Sequence, residues 1–161
     1  MKGTAHALLV HNHKLLLHLR DEKHPDPNLR NKWGLVGGGV EPNEKALTGI
    51  LREIKEETNL EPKELKYFTK LVIDGPDQKL EASIFGAHLS DDEVKHLKLG
   101  DEGREIKFFA TNEIANLHLA PEVRKYYEAF KSAINKYINE GVIQIQFDTL
   151  NQCEPGIVPQ R

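Results

Sequence analysis

The chain has 161 residues, of which 39% are hydrophobic and 29% charged, the make-up of one ordinary globular domain large enough for a core. A net charge of −3 gives no basic footprint, so nucleic-acid polymers are not expected partners. No apolar run reaches the roughly 20 residues of a membrane span. One cysteine, Cys153, rules out an internal disulfide and fits a reducing compartment. With no apolar leader behind Met1, the cytoplasm is the expected location.

Thr4 to Val10 and Lys14 to Leu19 are apolar runs separated by His11-Asn12-His13, the pattern of a hairpin. The His-Asn-His letters could belong to a nuclease or a metal site, but no third ligand accompanies them and a tight turn accounts for them. Arg20 leaves the second strand into a polar loop, Asp21 to Lys32, that carries Arg30. Trp33 to Val36 then reads as a short strand that feeds a glycine loop, Gly37 to Gly39.

Behind Glu41-Pro42-Asn43, a turn signal, one amphipathic helix runs toward Leu60. Leu47, Ile50, Leu51 and Ile54 have the spacing of a buried stripe. Glu53, Glu56 and Glu57 lie three and four apart and share a face. Like charges so placed destabilise an isolated helix by roughly 0.2–0.5 kcal/mol per pair, which a bound cation would relieve. Carboxylates are the ligands that hard ions such as Mg²⁺ prefer. Gly49 sits one turn before Glu53 and leaves that face clear, Arg52 can reach Glu56, and Asn59 suits the end of the helix.

Leu65 to Ile73 and Leu80 to Leu89 follow as strands around the turn Gly75-Pro76-Asp77. Ser90 to Glu93 is a capping box for a short helix through about Leu97. Gly100-Asp101-Glu102-Gly103 precedes a strand, Ile106 to Phe109, so an acid in that loop could swing over the glutamate helix. Thr111 to Asn116 is a short helical turn. Ala120 to Asn139 is a long helix with a core stripe of Val123, Tyr126, Tyr127, Phe130, Ile134 and Tyr137, stopped by Gly141. Val142 to Phe147 alternates like an edge strand, and the rest of the tail reads as irregular. Residues 1–140 are thus one domain and 141–161 a C-terminal extension.

Gly38, Glu44, Arg52-Glu53-Ile54, Glu56-Glu57 and Leu60 together resemble the Nudix box, with Asn59 where the family has its second glycine. Trp33-Gly34-Leu35-Val36-Gly37 resembles the approach to that box, and the likeness fades after Leu119. The resemblance implies an α/β fold, a Nudix-type α/β/α sandwich with a mixed β-sheet. It implies Glu53, Glu56 and Glu57 as metal ligands with a loop carbonyl near Gly37, and Glu44 and Arg52 as groups that orient them. Members of the family often supply a further glutamate from the region before the strand Ile106 to Phe109, and Glu102 matches best, with Asp101 and Glu105 as alternatives. Either one of the box carboxylates or Glu102 would act as general base. Arg20 and Arg30 stand where family members touch substrate phosphates.

The activity implied is Mg²⁺-dependent hydrolysis of diphosphate linkages in nucleoside diphosphate-X compounds, with Mn²⁺ as the alternative ion. The short chain and hairpin start favour a nucleoside triphosphate pyrophosphohydrolase of the MutT kind. Nucleotide sugars, ADP-ribose and dinucleoside polyphosphates are the alternatives, and a non-catalytic nucleotide sensor is the reading outside enzymes. A sensor tends to lose box carboxylates, and here all are present. An isopentenyl diphosphate isomerase would need a cysteine at the site, and Cys153 lies in the tail. The last helix and the strand after it are expected either to join two copies in a homodimer or to fold back onto their own sheet.

Overall fold

The N-terminal apolar runs pair as expected. Strand β1 (Lys2–His11) turns through Asn12 and His13, both at positive φ, into β2 (Lys14–Leu19), with Val10 opposite Leu15. The histidines of that turn are structural: the His11 and His13 rings bond the carbonyls of Leu89 and Asn139, each at 3.1 Å. The structure, a computed structural model, describes residues 2–75, 77–142 and 157–160, the last four by their backbone.

The first correction concerns the glycines. Strand β3 (Trp33–Gly39) continues through them, pairing antiparallel with β1 from Ala7 opposite Val36 to Thr4 opposite Gly39. The expected loop is therefore a strand whose missing side chains leave room above it. Helix α1 (Ala46–Thr58) follows and ends at Asn59, which is left-handed at φ 62° as its identity predicts. Its buried stripe is narrower than the sequence indicates. Ile50 and Ile54 are fully buried, whereas Leu47 and Leu51 are 48% and 39% exposed. The helix is rotated so that Gly49, Glu57 and Thr58 take the remaining buried positions.

Strands β4 (Lys66–Asp74) and β5 (Lys79–His88) form the next antiparallel pair. Helix α2 (Asp91–Val94) carries the expected capping box, with Ser90 and Glu93 bonding each other's backbone amides. It stops short of Leu97 because the chain turns to dock on α1, where the Lys98 amide donates to the Thr58 carbonyl at 2.9 Å. Strand β6 (Glu105–Phe109), α3 (Thr111–Ile114) and α4 (Pro121–Glu140) complete the main body. Gly141 ends α4 at φ 74°, as expected.

With β7 (Ile157–Gln160) from the tail, the sheet order is β6-β2-β3-β1-β5-β4-β7, mixed because β1 and β5 run parallel while the other pairs are antiparallel. Side chains alternate across β1. Ala5, Ala7 and Leu9 join Ile50 and Ile54 of α1 on one face, and Leu8 and Val10 join Tyr126, Tyr127, Phe130 and Ile134 of α4 on the other. This is the α/β/α sandwich with a mixed sheet that the sequence predicts. The tail brings the second correction: β7 (Ile157–Gln160) is not irregular but pairs antiparallel with β4 from Lys70 to Ile73. The edge strand expected at Val142–Phe147 lies, from residue 143 on, outside the described residues. Among the described residues, no helix is long and apolar enough to cross a membrane.

Candidate active site

The site is built where α1 crosses the glycine end of β3. Gly38 faces Glu53: a Cβ at Gly38 would stand 3.0 Å from the Glu53 carboxylate. Gly37 has φ 144°, and a Cβ there would meet the Ala5 carbonyl oxygen at 2.1 Å. The glycines let β3 lie close to β1 while keeping the space over Glu53 open. Gly49 clears a different group from the one expected, since a Cβ there would meet the Glu44 carboxylate at 2.9 Å.

Arg52 organises the outer carboxylates. It forks onto Glu44 with two bonds of 3.0 Å and donates to Glu53 at 3.0 Å, to Glu56 at 3.4 Å and to the Gly39 carbonyl at 3.1 Å. Glu44, and after it Glu53, hold the guanidinium pKa above its ordinary value. Arg52 in turn holds the Glu44 carboxyl below the usual range. The expected link from Arg52 to Glu56 is present, but it is the longest of the set. Glu56 is also the most exposed of the box acids, at 58%.

Glu57 has the opposite surroundings. Its side chain is 7% exposed, and its carboxylate accepts from the Gly37 amide and from Arg20, both at 3.4 Å. Burial pushes its pKa up to about 8, and the charge of Glu53 adds to that, while Arg20 and the Gly37 amide pull the other way. Arg20 does not extend from the end of β2 into solvent. Its guanidinium turns in and also reaches His18 Nδ1 at 2.9 Å and the carbonyls of Leu35 and Gly37 at 3.2 and 3.4 Å. Arg30 lies apart, exposed in its loop and bonded to the His24 carbonyl at 2.6 Å.

His18 is the residue that sequence reasoning missed. It is 1% exposed on β2, and because Arg20 can only donate to Nδ1, the ring proton sits on Nε2. That proton goes to the Glu102 carbonyl at 3.0 Å. Burial, and then the Arg20 charge, lower its pKa to about 4, so the ring stays neutral. The signal was in the sequence, since a histidine in an otherwise apolar strand run requires buried partners. Through His18 the loop before β6 is fastened to the site. The Gly100 amide also bonds the Glu57 carbonyl at 3.1 Å, and Gly103 at φ 86° lies so close to His18 that no Cβ would fit. The loop carrying Glu102 therefore docks on the C-terminal end of α1, with the Glu102 side chain exposed.

The donors fit a hard divalent ion by chemistry: three carboxylates and the Gly37 carbonyl, with the space over Glu53 kept free by Gly38. Their positions are set by two arginines. Glu53 and Glu56 turn toward Arg52 and Glu57 toward Arg20, so among the described residues no three acids or histidines converge on one point.

The sequence matches the NUDIX domain family over residues 1–130, which extends past Leu119 into α4. No curated protein matches it. Among solved structures, the MutT protein of Methanosarcina mazei Go1 is 25% identical over 81% of this chain and 93% of that one, with a TM-score of 0.65. A NUDIX hydrolase from Nitrosomonas europaea is 25% identical over 81% of this chain and 70% of that one, with a TM-score of 0.63. The NUDIX domain of Shewanella oneidensis NrtR, solved with ADP ribose, is 19% identical over 81% and 86%, with a TM-score of 0.66, a likeness of fold. The chain belongs to the NUDIX domain family, hydrolases of pyrophosphate bonds in nucleoside diphosphate-X compounds that generally use divalent metal ions.

Proposed function

We propose that this chain is a Mg²⁺-dependent nucleoside triphosphate pyrophosphohydrolase that releases a nucleoside monophosphate and pyrophosphate. The observation that carries the reading is Glu57: a buried carboxyl beside Glu53, its pKa raised by burial, under a strand end that glycines keep open. Structural ion pairs are seldom so under-compensated, and perturbed carboxyls of this kind mark functional sites. Glu53, Glu56 and Glu57 would hold the ion with the Gly37 carbonyl, and Glu102 is the further acid whose loop is already docked on α1. A bound divalent ion would neutralise the diphosphate oxygens and make an attacking water more acidic.

The chain's own groups do the rest. Arg52 fixes Glu53 from behind and so limits its rotamers, with Glu44 as the anchor. A box carboxylate or Glu102 takes the proton from water. Arg30 is exposed and available to phosphate oxygens. The organic part of the substrate has polar groups to meet on the α4 face of the sheet. Thr4 Oγ1 and His6 Nδ1 on β1, and the Tyr126 hydroxyl on α4, are buried without a partner among the described residues. Burial, and then Arg20, lower the His6 pKa to about 4, so its free nitrogen is an acceptor or a neutral donor. His118, the polar side chain expected before α4, is exposed, and its carbonyl is spent on the Trp33 amide.

The test is a panel of nucleoside triphosphates, ADP-ribose, nucleotide sugars and dinucleoside polyphosphates with Mg²⁺ or Mn²⁺, following each product in ¹⁸O-labelled water. The proposal expects monophosphate and pyrophosphate from a triphosphate, with the label in one of these phosphate products. Turnover of ADP-ribose or a dinucleoside polyphosphate alone would replace the substrate class. Label in the sugar or alcohol would overturn attack at phosphorus.

A further inference from the structure

We propose that Arg20 is a resident counter-cation that a divalent ion displaces from Glu57, which frees its guanidinium for the phosphates of the substrate. The inference rests on the reading of Glu57 as an ion ligand and adds the event that must accompany binding there.

Arg20 is the one cation in contact with Glu57 among the described residues, because His18 beside it is neutral and offers only a lone pair. One edge of the guanidinium takes Glu57 Oε1, and the other takes the carbonyls of Leu35 and Gly37. Gly34 lies against it, with a Cβ there falling 3.4 Å from the Arg20 Nε, so the side chain rests on bare β3 backbone. An ion bound to Glu57 and the Gly37 carbonyl needs those oxygens at about 2.0–2.6 Å. They are two of the oxygens that Arg20 holds. Like charges sharing both would repel at contact distance in a site with little water to screen them.

The two arginines of the site are not equivalent. Arg52 keeps an anchor outside the proposed ligands, the fork onto Glu44 and the bond to the Gly39 carbonyl. Among the described residues Arg20 has no second carboxylate, and its other partners are a neutral ring and backbone oxygens. When Glu57 is taken, Arg20 loses its one carboxylate partner among the described residues. Its side chain is already 16% exposed, and a three-carbon stem can swing the guanidinium out without moving β2. The Glu57 site thus holds a cation in both states, the arginine first and the ion afterwards. The freed guanidinium is delivered only to a site that holds its metal, so ion binding precedes productive phosphate binding.

The test uses the wild-type protein without substrate. Phenylglyoxal modification at pH 9 is followed residue by residue by peptide mass mapping, in chelator and in excess Mg²⁺, with exposed Arg104 as internal reference. Displacement predicts that Mg²⁺ speeds modification of Arg20 several-fold relative to Arg104. An unchanged or slower rate at Arg20 overturns it. Thermal unfolding of wild type and Glu57→Gln, with and without Mg²⁺, separates this from the underlying reading. If Mg²⁺ raises the Tm of wild type alone while Arg20 reactivity stays flat, the ion ligand stands and the exchange falls. If Mg²⁺ raises neither Tm, both fall.

Discussion

Glu57 concentrates the electrostatics of the site in one side chain. Its ordinary pKa of 4.5 is raised to about 8 in the folded protein, chiefly because burial penalises its charged form. Between those values the folded chain keeps a proton that the unfolded chain has released. Its contribution to stability is therefore complete below about 4.5 and is lost as pH rises through about 8. In chelator, wild type should lose Tm over this range, and Glu57→Gln, which mimics the protonated acid, should show less of that loss. At pH 7, where wild type has already lost part of that contribution, the Gln variant should unfold no earlier than wild type in chelator. Ion binding must expel the same proton, so Mg²⁺ affinity should rise with pH and level off above about 8, which titration calorimetry in buffers of different ionisation enthalpy can follow. A Gln variant that keeps the Mg²⁺ response and turnover would remove α1 as the ligand-bearing helix.

At the scale of the element, the informative piece is the glycine end of β3. Read as letters, Gly37-Gly38-Gly39 signals a loop, because glycine is poor in strands and permissive in turns. The sheet overrides that tendency: backbone pairing with Thr4 to His6 of β1 keeps the segment extended. Likewise the spacing of Leu47 and Leu51 was legible as helix, but not which side of the helix faced inward. That depends on where the partner sheet lies, which no local pattern contains. The two glycines should also separate on substitution. Gly37→Ala places a Cβ 2.1 Å from the Ala5 carbonyl at a φ of 144° and should cost ~2 kcal/mol or more in urea unfolding. Gly38→Ala meets the flexible Glu53 side chain first, at 3.0 Å, so it should fold with little loss and lower kcat by ~10–100-fold by shifting Glu53. Equal effects of the two changes on stability would contradict this division between strand and site.

Across the whole molecule, β1 is the centre, paired to β2, β3 and β5 and buried on both faces, and its continuous apolar run made it legible. The box acids were legible by spacing. The partner of His18 and the inward turn of Arg20 were not, because the contacts that fix them lie 84 and 37 residues away in sequence. The tail was the hardest part, since four residues with a proline carry almost no strand signal. Yet β7 matters to the sheet, because it covers the outer edge of β4 from Lys70 to Ile73. An uncovered edge offers free amides and carbonyls to another chain. Pro159, opposite Leu71, has no amide hydrogen, so β7 is itself a poor template for a further strand. A chain ending at Glu140 should therefore expose β4 and associate in a concentration-dependent way, while the full chain sediments as a monomer. Sedimentation velocity over a hundredfold range of concentration decides it. A full-length dimer that truncation converts to monomer would mean that the tail joins two copies instead of sealing its own sheet.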